Sequence, residues 1–194
     1  MKIDARPLYL ALPLALAACG AGPGVGPSDV QAFDGTAQTI SATATSYGTQ
    51  AAGMTSTTQC TGVQGAYDAQ VRPMVSQMQG MGIAMDGQMG AMGRMADGDM
   101  ECTANAMMAE LDRHGAAACG STTGVAADVA EAQRHVAAMT RWAAHEQDRA
   151  QEMGSMMGMS GMMGGSGRMG GSGGVAAGSG LCVQNPDGSY TFQP

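Results

Sequence analysis

The chain has 194 residues, a formal net charge of −7 and only 4% aromatic residues. Its single lysine is Lys2 and its arginines are scattered, so it lacks the basic patch that phosphate binding requires, which argues against a nucleic-acid partner. There is no Gly-rich phosphate loop, no HExxH and no CxxC, which argues against an enzyme, a zinc ribbon or a thioredoxin-like site.

At the N-terminus, Lys2 and Arg6 form a short basic region diluted by Asp4, and residues 8–18 are apolar and rich in Leu and Ala. A bilayer span takes about 20 residues, so this stretch is too short to cross, but it suits a signal peptide over residues 1–18. It ends in Leu16-Ala17-Ala18-Cys19. That ending resembles the lipobox of bacterial lipoproteins, and the resemblance covers residues 1–19 only. It implies a diacylglyceryl group on the Cys19 thiol, cleavage before that residue and acylation of the new amine, palmitate being a usual chain. Several acyl chains give stable anchoring where one gives marginal binding. The resemblance further implies a place in the bacterial cell envelope, and Gly20 in place of Asp favours the outer membrane facing the periplasm. Residues 19–28, with GAGPGVGP inside them, read as a tether.

Beyond the signal, 7 basic and 15 acidic residues remain. Val30, Phe33, Ala37, Ile40, Ala44, Tyr47, Ala51 and Met54 alternate three and four apart, which predicts a helix over 29–54 capped by Ser28 or Asp29. A second helix starts near Val63, with Tyr67, Val71, Met74, Met78, Met81 and Met85 on one face. Pro73 should kink it or mark a start, and the glycines from Gly80 onward should fray it past Gln79, since each costs ~1 kcal/mol against Ala. A third helix spans 99–118, with Cys102, Ala106, Leu111 and Ala118 near one face. A fourth runs from Val125 to near Gly154 on a stripe of Val125, Val129, Ala132, Val136, Met139, Ala143 and Ala150, with Arg134, Arg141, His145 and Asp148 off it. Residues 158–180 are almost only Gly, Ser and Met and are expected to be flexible. Residues 181–194 carry Asn-Pro-Asp-Gly between two short β-prone pieces, the signal of a hairpin.

Four amphipathic helices with mostly short connections predict an all-α antiparallel four-helix bundle over 29–157. With Cys19 lipidated, four cysteines remain, and an oxidising compartment makes two disulfides the default. An up-down topology puts the turn holding Cys60 and the turn holding Cys119 at one pole, and Cys102 and the tail with Cys182 at the other. The expected pairs are therefore Cys60–Cys119 and Cys102–Cys182.

Met1 apart, the chain holds nineteen methionines, eight within residues 74–100 and seven within 153–169. The same topology brings both clusters to one pole. Thioethers are soft, neutral and polarisable and select Cu(I) or Ag(I). Met89, Met92, Met95, Met153, Met156, Met157, Met159, Met162 and Met163 are the candidate ligands. Their composition and spacing resemble the Met-rich segments of periplasmic copper-handling proteins. Met74, Met78, Met81 and Met85 stand at core spacing and read as packing, whereas Met156 to Met169 have only Gly and Ser around them. Exposed methionines can also act as an oxidant sink. A structural or interaction envelope lipoprotein with no metal role is the alternative, and no protein partner can be named.

Glu110/His114 and Glu131/His135 are i,i+4 pairs, read as exposed helix-surface pairs. His135, Met139 and Trp142 share one helix edge, where packing competes with a Cu(I) set.

Overall fold

The computed structural model describes residues 25–91, 99–120, 124–160 and 181–193. The signal sequence, Cys19 and the tether up to residue 24 lie outside them, as do Met92, Met95, Met162, Met163 and Met169. The elements are α1 (Pro27–Ala52), α2 (Thr57–Ala91), α3 (Asp99–Ala117), α4 (Val125–Ser160), β1 (Leu181–Gln184) and β2 (Tyr190–Gln193).

The architecture is an all-α four-helix bundle. On α1, Val30, Phe33, Ala37, Ile40, Ala44, Tyr47 and Ala51 are all buried, and Met54 follows in the turn, so the whole predicted stripe faces the core. Pro27 starts the helix two residues early, because a first-turn proline lacks only an N–H that has no partner there. Gly26 is the N-cap residue, and its N–H donates to Asp29 Oδ2 at 2.8 Å. The threonines that lower helix propensity are absorbed locally. Thr36, Thr39, Thr43, Thr45 and Thr49 each donate a hydroxyl to the carbonyl four residues back.

Every sequential pair of helices is antiparallel. Gly48 of α1 faces Val136 of α4 while Gly154 faces Val30. Gln79 of α2 donates to Asn105 of α3 at 2.7 Å, and Arg72 pairs with Asp112 at 2.8 Å. Asp99 and His145 join the start of α3 to the latter half of α4. α1 packs on α2 and α4, α3 also packs on α2 and α4, and α1 and α3 stand diagonally opposed.

α2 departs most from expectation. It begins at Thr57, continues through Pro73 and the following glycines, and reaches Ala91. Pro73 is exposed, so the carbonyl it leaves unbonded has access to water, while Val71, Val75 and Met78 around it are fully buried. Tertiary burial thus outweighs local propensity. Val75 takes the fully buried place expected of Met74, and Met74 and Met81 are half-buried. Gly82 is a packing contact, because a Cβ there would meet Met100 Cβ at 3.0 Å. α4 likewise passes its expected end near Gly154 and runs to Ser160.

The two disulfides pair as the topology requires, Cys60 with Cys119 and Cys102 with Cys182. The hairpin β1–β2 aligns Cys182 with Phe192 and turns at Asn185-Pro186-Asp187-Gly188, with Gly188 at φ 81°. It packs on α3.

Candidate functional site: the methionine pole and a buried tyrosine–histidine network

The pole where α2 and α4 end also holds the start of α3 and the Cys102–Cys182 bridge. Asp99 organises it. This carboxylate is 1% exposed. It accepts from His145 Nε2 at 2.7 Å and from the Cys182 N–H at 2.5 Å, and pairs with Arg149 Nε at 3.1 Å. Burial alone would raise its pKa, but the His145 and Cys182 hydrogen bonds outweigh that and hold it below the ordinary Asp value. Glu146 beside it is fully buried. Burial, reinforced by the negative charge of Asp99 and Asp86, pushes its carboxyl well above the usual range. His145, expected off the apolar stripe, is buried, and Asp86, Asp99, Asp128 and Glu146 are core carboxyls and not helix-surface ones.

The methionines divide. Met54, Met78, Met85, Met100, Met107, Met139 and Met153 are buried in the core. Met153, one of the candidate ligands, therefore belongs to the packed part of α4. Met89 stands on the last turns of α2, and Met156, Met157 and Met159 on the last turns of α4. Met92, Met95, Met162 and Met163 lie outside the described residues. Among the described residues no group of three or more His, Cys, Asp and Glu side chains is placed to hold a metal ion. No described helix is long and apolar enough to cross a membrane.

Towards the other pole, tied by Cys60–Cys119, lies a polar network absent from the expectations. Tyr47 Oη is 2.7 Å from His114 Nε2, and Tyr67 Oη is 3.0 Å from His135 Nε2. His114 Nδ1 meets Glu131 Oε1 at 3.1 Å, and His135 Nδ1 meets Glu110 Oε1 at 2.9 Å. The pairing is thus exchanged between α3 and α4, and the two histidines are 2% and 0% exposed. This corrects the reading of Glu110/His114 and Glu131/His135 as exposed i,i+4 pairs. Arg113 and Arg134 each contact both glutamates, at 2.5–3.3 Å. The imidazoles stack with centroids 4.0 Å apart, and the two phenols stack at 4.3 Å.

Chemistry orders the protons. A carboxylate flanked by two guanidiniums only accepts, so each histidine carries its proton on Nδ1, and each Nε2 lone pair receives a tyrosine O–H. Burial and then the charges of Glu131 and Asp128 push the Tyr47 phenol up to about 12. Burial, then Tyr47, Asp68 and Glu110, raise Tyr67 further. Burial, then His135, lower His114, against the opposing pull of Glu131. With both ring nitrogens of His135 engaged, the proposed His135/Met139/Trp142 copper set has no nitrogen to offer. Met139 and Trp142 are buried in the core.

No family, curated protein or solved structure matches this chain. The network did leave a trace in the sequence: Glu-x-x-Arg-His occurs twice, at Glu110–His114 and Glu131–His135. A repeated five-residue pattern on adjacent helices is the signal that finds it.

Proposed function

We propose that this chain is a lipid-anchored protein of the bacterial envelope that binds or buffers Cu(I) or Ag(I) through methionine thioethers, and that it is not an enzyme. One observation carries the metal reading: the two helices bearing the methionine clusters end at the same pole of a disulfide-tied bundle. Thioethers need no deprotonation and persist where thiols pair, so a disulfide-bonded protein is a fitting carrier for soft-ion ligands. The ligand set is Met89, Met92, Met95, Met156, Met157, Met159, Met162 and Met163. Met153 serves as packing beneath it. The anchor rests on Leu16-Ala17-Ala18-Cys19 alone.

The test is a Cu(I) competition titration against a chromophoric chelator on the chain from Val25 onward, beside a variant with Met156, Met157, Met159, Met162, Met163 and Met169 changed to Leu. Tight binding that the variant loses supports the reading. Equal binding by both proteins moves the site off the α4 end, and no binding removes the metal role. Palmitate labelling that C19A abolishes tests the anchor separately.

A second reading has its own observation. Seven methionines pack the core, so part of the methionine excess is spent on structure, as expected of an envelope lipoprotein that acts through protein contacts.

A further inference from the structure

A bundle core that needs only stability is served as well by apolar residues as by a buried ionic network. Here two phenols and two imidazoles fill the core towards one pole, and each imidazole is backed by a carboxylate that two more exposed guanidiniums clamp, arranged twice over in the same order. Tyr47 and Tyr67 are also among the residues that line a cleft of about 510 Å³ between α1 and α2, and every residue lining it is uncharged. The phenols are 2% and 4% exposed, so an electron, and not a solute, has to pass between the cleft and the network.

We propose that Tyr47 and Tyr67 form a one-electron oxidation site whose phenolic protons are held by His114 and His135. The co-reactant is a small, high-potential one-electron oxidant that seats in the α1–α2 cleft beside the two tyrosines. In the step, the oxidant takes one electron from the Tyr47 ring and is reduced. The Tyr47 O–H bond breaks and an N–H bond forms on His114 Nε2. The products are a neutral tyrosyl radical and an imidazolium whose Nδ1–H faces the Glu131 carboxylate. The same exchange between Tyr67 and His135 leaves its imidazolium against Glu110. When a reductant returns the electron, the proton moves back from Nε2 to oxygen.

Three geometric facts support this. The donor–acceptor distances of 2.7 and 3.0 Å let the proton move without rearrangement. Each imidazole is backed by a carboxylate that stabilises it once charged. The phenol rings, stacked at 4.3 Å, can share the electron hole, and burial keeps the radical from other solutes. The raised phenol pKa values exclude simple deprotonation before oxidation, and a neutral His114 has its lone pair ready to accept.

The experiment is laser flash-quench of the full chain in detergent, with a ruthenium tris-bipyridyl sensitiser and a cobalt(III) acceptor, read by transient absorption and electron paramagnetic resonance. The wild-type chain is expected to give a long-lived tyrosyl radical that forms more slowly in D₂O and is lost in Y47F/Y67F, in which Tyr9 and Tyr190 remain. Y9F/Y190F leaves the network intact and is expected to keep both the radical and its isotope effect, so the test stands even where Y47F/Y67F unfolds the chain. A radical lost in Y9F/Y190F belongs to a phenol outside the network and overturns the proposal. A radical that forms equally fast in D₂O, one retained in a folded Y47F/Y67F chain, or only an indole-type signal from Trp142 overturns the proposal.

Discussion

Tyr47 Oη and His114 Nε2 meet at 2.7 Å across the diagonal of the bundle, joining α1 to α3. Both side chains are buried, so neither can turn to water when its partner is removed. We expect Y47F to cost about 1–3 kcal/mol, because it leaves a buried acceptor without its donor. Y67F is expected to act in the same range through His135. Y190F, in the hairpin, should change little. Urea unfolding measures all three, and equal midpoints for Y47F and Y190F would show that the network is not held as described.

Acid should weaken the fold. His114 has a folded pKa below its usual 6.5, so above 6.5 its neutral form contributes stability, which is withdrawn as pH falls through the folded value. Glu110 is also depressed: burial raises it, but the His135 and Arg113 hydrogen bonds outweigh that. Asp99 behaves likewise, and both add losses as pH falls through their folded values, below the ordinary carboxylate range. In E146Q, which removes the opposing titration of Glu146, thermal melts from pH 8 to pH 4 should show a falling midpoint on the acid side. A flat profile contradicts this.

Glu146 has the opposite sign. Its folded pKa lies well above the ordinary Glu value of 4.5, so the folded chain holds a proton that the unfolded chain releases, and stability falls as pH rises from about 4.5 towards the folded value. E146Q keeps the shape and removes the titration. It should raise the melting midpoint at pH 8 and leave it nearly unchanged at pH 4. A loss at pH 8 would mean that the charged form has a partner in the fold.

The α1–α4 contact is set by backbone approach at Gly48. A Cβ there would meet Val136 Cγ2 at 3.0 Å, whereas at Gly35 it would meet nothing within 4 Å. Valine is stiff at χ1 in a helix and cannot easily give way. G48A should therefore cost about 1–3 kcal/mol by overpacking, while G35A should gain about 0.5–1 kcal/mol from helix propensity. The same urea series reads both, and a stabilised G48A would show that α1 and α4 stand further apart.

The hairpin is held by the Cys102–Cys182 bridge and by the Cys182 N–H on Asp99. C102A/C182A should cost about 2–5 kcal/mol and open residues 181–193 to proteolysis before the helices. Simultaneous cleavage of hairpin and helices would mean that the bridge is not what seats it.

Read alone, the sequence was enough for the helix count, the all-α architecture and both cysteine pairings. These follow from periodicity and from the fact that short connections force neighbouring helices to run antiparallel. The α1 stripe is the clearest case, because its residues from Val30 to Ala51 are all buried. Helix length was less legible. α2 crosses Pro73 and its glycines because packing of Val75, Met78 and Met85, and of Gly82 against Met100, exceeds the local penalty, and packing partners are not written in a local window. Least legible was the tyrosine–histidine network. An i,i+4 Glu–His spacing is the same on a wet face and a dry one. Only the tertiary structure decides which face turns inward, and only it could pair Glu110 with His135, Glu131 with His114, and each imidazole with a tyrosine on a diagonal helix.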